Sequence, residues 1–408
     1  MRYPLSCDTW DEQELEAIQS VIKSGRYTMG PQVKKFEQEF AEYFRCKDAV
    51  MVNSGSSANL LMIALLKLKY KKGGNIIVPA VSWSTTFFPL QQYGFKLNFV
   101  DIDRETLNID PNKVREAINE DTCAIFAVNL LGNSCDYYSL YHIAREHDLM
   151  LLEDNCESLG AKTYNYEFCG TFGQLGSFSF FFSHHLQTME GGMIACCNKD
   201  DANYLRSLRA HGWCRDLPIE NNLYKLKQDK FQDSFTFITP GYSVRPLEMS
   251  GAIGSVQLKK ESEMRKQRIK NAEYFKKVFD DPNLENSVQI QKEIGESSWF
   301  GFSIVLKNKL ENKRHILVKR FVMNGIECRP IVAGNFMKNP VIDYLDYYNN
   351  SCPNADYIHN NGLFIGNDIR DLKENIDIVK KLIKEVLLRE KIVALEKKSQ
   401  YGYLRSGV

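Results

Sequence analysis

Four segments of this chain carry residue types that could do chemistry together. Asn53-Ser-Gly-Ser-Ser-Ala-Asn59 runs straight into the apolar stretch LLMIALLKL. A small, polar turn at a helix start leaves backbone N–H groups free and so makes a cradle for a phosphate. Alone, the same pattern equally describes a serine cap on a glycine turn. Leu151-Leu-Glu-Asp-Asn-Cys-Glu157 reads as an apolar strand ending in acidic residues. An ionised Asp154 at that end is placed to keep the nitrogen of a bound heterocycle protonated, which makes the ring an electron acceptor; the plainer reading is an acidic helix N-terminus. Ser177-Phe-Ser-Phe-Phe-Phe-Ser-His-His-Leu-Gln-Thr-Met-Glu-Gly-Gly192 joins a strand, a polar turn with adjacent histidines and a Glu-Gly-Gly stop. An imidazole of ordinary pKa, about 6.5, can pass a proton in either direction near neutrality. The fourth segment is Pro240-Gly-Tyr-Ser-Val-Arg245.

Such residues converge only if the chain delivers them to one edge of a sheet, and in open α/β sheets ligands gather at the carboxyl ends of strands. From about Val50 to Asp200 short apolar runs alternate with helical patterns, as in a parallel α/β sheet. The expected strands are Ile76 to Pro79, Lys96 to Val100, Cys123 to Val128, Met150 to Glu153, Ser177 to Phe182 and Met193 to Cys197. Helices are expected near Asp11 to Lys23 and from about Ser57, Thr85, Pro111, Cys135 and Asp200. A long helical pattern at about 246–274, apolar on one face and then increasingly charged, links two domains, 1–260 and 261–393. The second mixes strand-like SWFGFSIVL with helical patterns, as a smaller α+β domain does, and 394–408 reads as a frayed polar tail.

The bulk numbers exclude several classes. The 408 residues are 44% hydrophobic and 25% charged, enough for a large core. A net charge of +1 gives no long-range field for nucleic acid or an acidic membrane. No apolar run approaches the roughly 20 residues that span a bilayer, and the N-terminus lacks the apolar core of a secretory signal. Eleven scattered cysteines read as reduced thiols. The expectation is a cytoplasmic protein.

Taken in order, SGSSANL, LEDNCESLGA, FSF followed by EGG, and PGYSVR resemble the pyridoxal phosphate-dependent sugar aminotransferases of the DegT/StrS type, over roughly Tyr3 to Leu388. The resemblance implies an aminotransferase-like fold of type I, with a mostly parallel central sheet, helices on both faces and a smaller C-terminal α+β domain. In that family a lysine anchors the cofactor where this chain has His184, and no lysine occurs between Phe172 and Asn198. Histidine at this position marks the sugar 3-dehydratases of the family, and segments such as RSLRAHGWCRDLP and GIECRPIVAGNF are similar to the GDP-linked ones. The implied reaction removes the C3 hydroxyl of a nucleotide-linked 4-keto-6-deoxy sugar, GDP-linked by preference, with glutamate restoring pyridoxamine phosphate. CDP-linked relatives carry an iron–sulfur cluster on four cysteines. Here Cys156 and Cys214 keep the first spacing, but Asp216 breaks the Cys-x-Cys that should follow, so no metal is expected.

By the same resemblance Gly55, Ser56 and Ser179 hold the cofactor phosphate, Trp83 stacks on the ring, Asp154 meets its nitrogen and His184 moves the proton. Glu157 replaces the family's usual glutamine beside the ring hydroxyl and shares the catalytic role. Ser243 replaces an asparagine that contacts the phosphate from a neighbouring subunit, so a homodimer with shared sites is implied. Ser183, His211, Arg245 and Arg329 are the expected grips on the sugar nucleotide. An amino-sugar-forming transferase, a CDP-linked dehydrase and a noncatalytic binder remain as alternatives.

Overall fold

A computed structural model describes residues 2–71, 73–225 and 229–405, with Lys230 and 390–405 described by backbone alone. Strands in chain order are β1 (Asp48–Val52), β2 (Gly74–Pro79), β3 (Phe95–Val100), β4 (Thr122–Val128), β5 (Met150–Asp154), β6 (Leu175–Ser179), β7 (Gly192–Cys196), β8 (Val288–Gln289), β9 (Gly301–Leu306), β10 (Cys328–Arg329), β11 (Tyr347–Tyr348) and β12 (Gly362–Gly366). The principal helices are α1 (Glu12–Ser24), α2 (Pro31–Phe44), α3 (Gly55–Lys69), α4 (Ser84–Gln92), α5 (Pro111–Ala117), α6 (Tyr137–Glu146), α7 (Lys199–Arg209), α8 (Glu248–Phe279), α9 (Arg314–Met323), α10 (Pro353–Asn361) and α11 (Lys373–Arg405).

Eight strands form one sheet in the order β1-β7-β6-β5-β4-β2-β3-β11. All neighbours run parallel except β7, which is antiparallel to both β6 and β1. Two antiparallel steps cancel, so β1 runs with β6, β5 and β4, and the carboxyl ends of all four share one edge. That topology brings the α3 N-terminus, Asp154 and the β6–β7 connection together, although they are distant in sequence. The inner strands are buried almost end to end, as expected of a sheet covered on both faces. On one face pack α3, α4 and α7 with Leu61, Leu65, Phe87 and Leu205; on the other lie α5 and α6 with Val114, Leu140 and Ile143. The helix α3 is apolar nearly all round because it is enclosed nearly all round.

Phe36, Phe40 and Phe44 of α2 interlock with Phe178 and Phe180 around β6, ring centroids 4.5 to 6.1 Å apart. Each such enclosed side chain contributes roughly 1.5–3 kcal/mol, which fixes β6 and the turn that leaves it. A smaller antiparallel sheet has the order β10-β12-β9-β8. The helix α8 serves both cores, giving Leu258 and Met264 to the phenylalanine cluster and Ala272, Phe275 and Phe279 to the core over the small sheet.

Most expected elements are present, with shifted ends. Asp11 caps α1 through a reciprocal pair with Glu14. The Asp136 carboxylate accepts from the Ser139 N–H, so α6 starts at Tyr137 rather than Cys135. The strand expected to reach Phe182 stops at Ser179, because Ser179 pairs with Gly192 and the chain then turns. The linking helix runs on to Phe279. The last helix continues to Arg405 through the segment read as a tail, with no glycine or proline to stop it before Gly402. Among the described residues no helix is long and apolar enough to cross a membrane.

Candidate active site

At the start of α3 the Ser54 hydroxyl accepts from the Ser57 N–H at 3.1 Å and the Ser54 carbonyl from the Ala58 N–H at 3.0 Å. The N–H groups of Gly55 and Ser56 are thereby left for a ligand. A Cβ on Gly55 would stand 2.7 Å from Ser179 Cβ and 2.9 Å from Cys156 Sγ, so glycine is required where the cradle, the end of β6 and the turn after β5 meet. Gly192 is equally confined, its missing Cβ falling 2.4 Å from the Ser54 carbonyl. The Ser56 hydroxyl donates to Thr85 at 3.1 Å.

Asp154 ends β5 and is buried. Its Oδ2 accepts from Asn59 Nδ2 at 2.9 Å and Thr86 Oγ1 at 2.8 Å, while Oδ1 takes the Cys156 N–H at 3.2 Å. The carboxylate is held at a fixed angle with capacity left on Oδ1. Trp83, at the N-cap of α4, is 59% exposed, a large surface for a tryptophan unless another ring covers it. Glu157 accepts the Leu131 N–H at 3.0 Å. Enclosure, with Asp154 nearby, pushes its carboxyl up to about 7 despite that hydrogen bond.

The β6–β7 connection carries Ser183 and His184. The His184 ring stands edge-on to Phe300, centroids 5.3 Å apart, and to Phe181 at 6.0 Å. Its Nδ1 is enclosed without a hydrogen-bond partner. Burial, and then the guanidinium of Arg268, push the imidazole down to about 4. The direction favours the neutral imidazole in the cofactor-free chain, although the residue's surface is only half-buried. His185 turns inward, its Nε2 3.2 Å from the Ser298 carbonyl, and is held well below the ordinary histidine range by the same causes.

The cradle a Cβ would fill, the fixed carboxylate, the uncovered indole and the unpartnered imidazole together fit pyridoxal phosphate. The remaining expected residues make contacts of their own. In Pro240–Arg245, Tyr242 and Val244 pack inward, and the Val244 carbonyl accepts from Asn53 at 3.1 Å; Ser243 between them is exposed. Arg245 lies 5.5 Å over the Trp213 ring, whose edge meets His211 at 4.8 Å and whose face carries Arg215 at 3.2 Å. Arg329 stands exposed on β10 with Glu327 at 3.4 Å. Sequence reasoning missed Asn59 and Thr86, which hold Asp154, and Arg215, Arg268 and Phe300. Asn59, Arg215 and Phe300 lay inside quoted segments without being singled out. A groove of about 1140 Å³ lies elsewhere, between α2 and α7, and is crossed by the pairs Arg206–Asp48 and Arg209–Glu37.

With that geometry in place, comparison with known proteins gives concordant matches. The model of the DegT/DnrJ/EryC1/StrS aminotransferase family matches residues 8–382. The chain is 51% identical over 392 residues to the GDP-4-keto-6-deoxy-D-mannose 3-dehydratase of Yersinia pseudotuberculosis, covering 94% of this chain and 99% of that one. Among solved structures it is similar, at 50% identity and a TM-score of 0.89, to a histidine-to-asparagine variant of GDP-4-keto-6-deoxymannose-3-dehydratase with bound GDP-perosamine, over 93% of this chain and 99% of that one. The same figures hold for that enzyme with a trapped PLP-glutamate geminal diamine.

Proposed function

We propose, for a chain that belongs to the DegT/DnrJ/EryC1/StrS aminotransferase family, that it is a pyridoxal phosphate-dependent 3-dehydratase of a GDP-linked 4-keto-6-deoxy sugar. Glutamate restores the pyridoxamine form, and the product serves dideoxy sugar synthesis for a surface polysaccharide. The observation that carries this reading is a half-buried His184 in the loop where the family's anchoring lysine would stand.

When bound, the cofactor supplies an amine and an electron-accepting ring. The chain's own residues do the rest. Gly55 and Ser56 offer N–H groups to its phosphate, with the Ser179 hydroxyl beside them. Asp154, braced by Asn59 and Thr86, keeps the ring nitrogen protonated, and Trp83 covers a ring face. Glu157 would stand toward the ring hydroxyl. His184 Nε2 accepts a proton and then, as imidazolium, gives one to the departing C3 hydroxyl so that it leaves as water. An imidazole would form no lasting covalent bond to the cofactor's aldehyde, so the contacts of Gly55, Ser56, Ser179, Asp154 and Trp83 alone would hold the group.

The working unit is a homodimer in the cytoplasm. Supporting this, Ser243 is exposed and Arg215 and Arg245 gather over Trp213. Ile219, Phe231, Phe235 and Phe237 of the same region are each more than half exposed, a set of apolar side chains that a second copy would cover. A second copy would thus bring His211, Arg245 and Arg329 to bear on the sugar nucleotide beside this chain's own Ser183, with residues 1–260 holding the cofactor and 261–393 forming the smaller domain. The test is mass spectrometry of GDP- and CDP-4-keto-6-deoxy sugars incubated with protein, cofactor and glutamate. Loss of one oxygen without gain of nitrogen, from the GDP sugar, is expected; an amino sugar would overturn the assignment.

A further inference from the structure

We propose that Gln187 is a positioning residue for the reaction: it fastens the turn that carries His184 to the extended N-terminal segment 3–10, so that the imidazole is aimed by the backbone beneath it. The proposal rests on the reading of His184 given above.

Gln187 is fully buried, and both ends of its amide and both of its peptide groups are engaged. Its Oε1 accepts the Thr9 N–H at 3.1 Å, and its Nε2 donates to the Cys7 carbonyl at 2.8 Å. Both partners are backbone groups, which settles which end of the amide is which. Its own carbonyl accepts from Trp10 Nε1 at 2.8 Å, and its N–H donates to Oε1 of Gln257 on α8 at 3.2 Å. Gln257 is buried as well; it also accepts from the Thr9 hydroxyl at 2.9 Å and donates through Nε2 to Glu14 at 2.7 Å. Two glutamines thus clasp residues 7–10 against the histidine turn.

The other end of that segment belongs to the smaller domain. Tyr3 lies in the core over the small sheet, bridges to Ile326 and donates its hydroxyl to the Gly366 carbonyl at 2.6 Å. The Leu5 N–H donates to Glu327 at 3.2 Å, and the missing Cβ of Gly366 would fall 2.3 Å from the Leu5 carbonyl. The strap is anchored at both ends, so Gln187 sets the histidine turn in register with the smaller domain.

The turn is closed at its base, where the Thr188 N–H donates to the Phe180 carbonyl at 3.0 Å. Within it the His184 N–H donates to the Phe181 carbonyl at 2.8 Å, and the His185 ring is tied to the Ser298 carbonyl. The His184 ring has no such tie at Nδ1 among the described residues, and it stands edge-on to Phe181 and Phe300. A catalytic base is ordinarily oriented by a third group bonded to its second nitrogen. Here the aim of the ring follows from the place of the turn, and a displacement of about 1 Å at a reacting centre costs on the order of a hundredfold in rate.

The experiment compares Gln187→Met, which nearly keeps the volume and deletes both amide bonds, with Trp10→Phe, which deletes the one bond from a half-buried indole. Single-turnover deoxygenation of the GDP-4-keto-6-deoxy sugar by pyridoxamine phosphate-loaded enzyme should slow by about tenfold or more in the first and about threefold in the second, with the half-saturating sugar concentration and cofactor affinity unchanged. In cofactor-free protein with 13C-labelled imidazoles, His184 is assigned by its loss in His184→Asn. Its signal should move toward that of an exposed histidine in both variants, while His142, His147, His315 and His359 stay in place. A glutamine that only stabilises the fold would lower the urea midpoint and leave the rate per folded molecule and the His184 signal where they were; that result, or a loss confined to half-saturation, would overturn the proposal. Trp10→Phe decides the matter should Gln187→Met not fold. An amino-sugar product, or His184→Asn working at full rate, would instead sink the reading of His184, so the two failures are distinguishable.

Discussion

Replacing Glu157 by glutamine should remove a pH-dependent cost that the folded chain carries. The carboxyl is displaced from its ordinary value of 4.5 to about 7, chiefly by burial and then by Asp154, against the opposing Leu131 N–H. Each unit is worth about 1.4 kcal/mol, so the displacement corresponds to about 3 kcal/mol. The side chain is partly open to the cleft, and water there screens the charge, which brings the expected effect to roughly 2 kcal/mol. Between pH 4.5 and 7 the folded carboxyl keeps a proton that the unfolded chain has released. Stability is therefore lost as pH rises through this window, and the whole penalty is present above it. Glutamine can still accept the Leu131 N–H and has nothing to ionise. Urea unfolding of cofactor-free protein at fixed concentration should show near-equal stabilities at pH 5 and Glu157→Gln ahead by roughly 2 kcal/mol at pH 8. An equal gap at both pH values, or a more stable unmutated protein at pH 8, would refute the reasoning.

The cradle is expected to be intolerant: in Gly55→Ala the new methyl meets Ser179 and Cys156 at 2.7 and 2.9 Å, and fluorescence titration should show cofactor affinity falling by about tenfold or more. Thr86→Val removes one of the two donors to Asp154 Oδ2 at nearly constant volume; it should cost about 1.5–3 kcal/mol of stability in urea unfolding, as loss of a hydrogen bond to a charged group does. Because His184 and His185 are held neutral in the folded state, the unfolded chain takes up protons first as pH falls. Stability should decline from about pH 6.5 down through 4, and His184→Asn should flatten that slope, as read from urea midpoints at stepped pH.

The fold was legible where pattern and environment agree. The apolar run after SGSS is a helix because it is enclosed, and the runs around Ile76, Ile125 and Leu151 are strands because both faces are covered. The run FSFFF misled, since composition does not tell which phenylalanine leaves the sheet. Phe180 turns into the α2 cluster, whereas Phe181 and Phe182 are exposed beside the site. The first strand and α2 went unread, although the latter opens with proline at its N-terminus. Within the candidate site, the Gly55–Ser56 turn, Asp154, Glu157 and His184 stand in short motifs that a reading of the sequence singles out. Arg268 sat in a helical stretch whose rising charge reads as a solvated face, and only the packing of α8 against the Phe300 turn buries it. Leu131 acts through its backbone N–H, which no side-chain motif records.

The most direct test of a free coenzyme beside an imidazole is hydride trapping. Protein loaded with pyridoxal phosphate, reduced with borohydride, denatured and digested should release all of the cofactor, with no peptide gaining its mass, while His184→Lys treated in parallel should retain it on the peptide spanning that position. A pyridoxyl group fixed to any lysine of the unmutated chain would contradict the account.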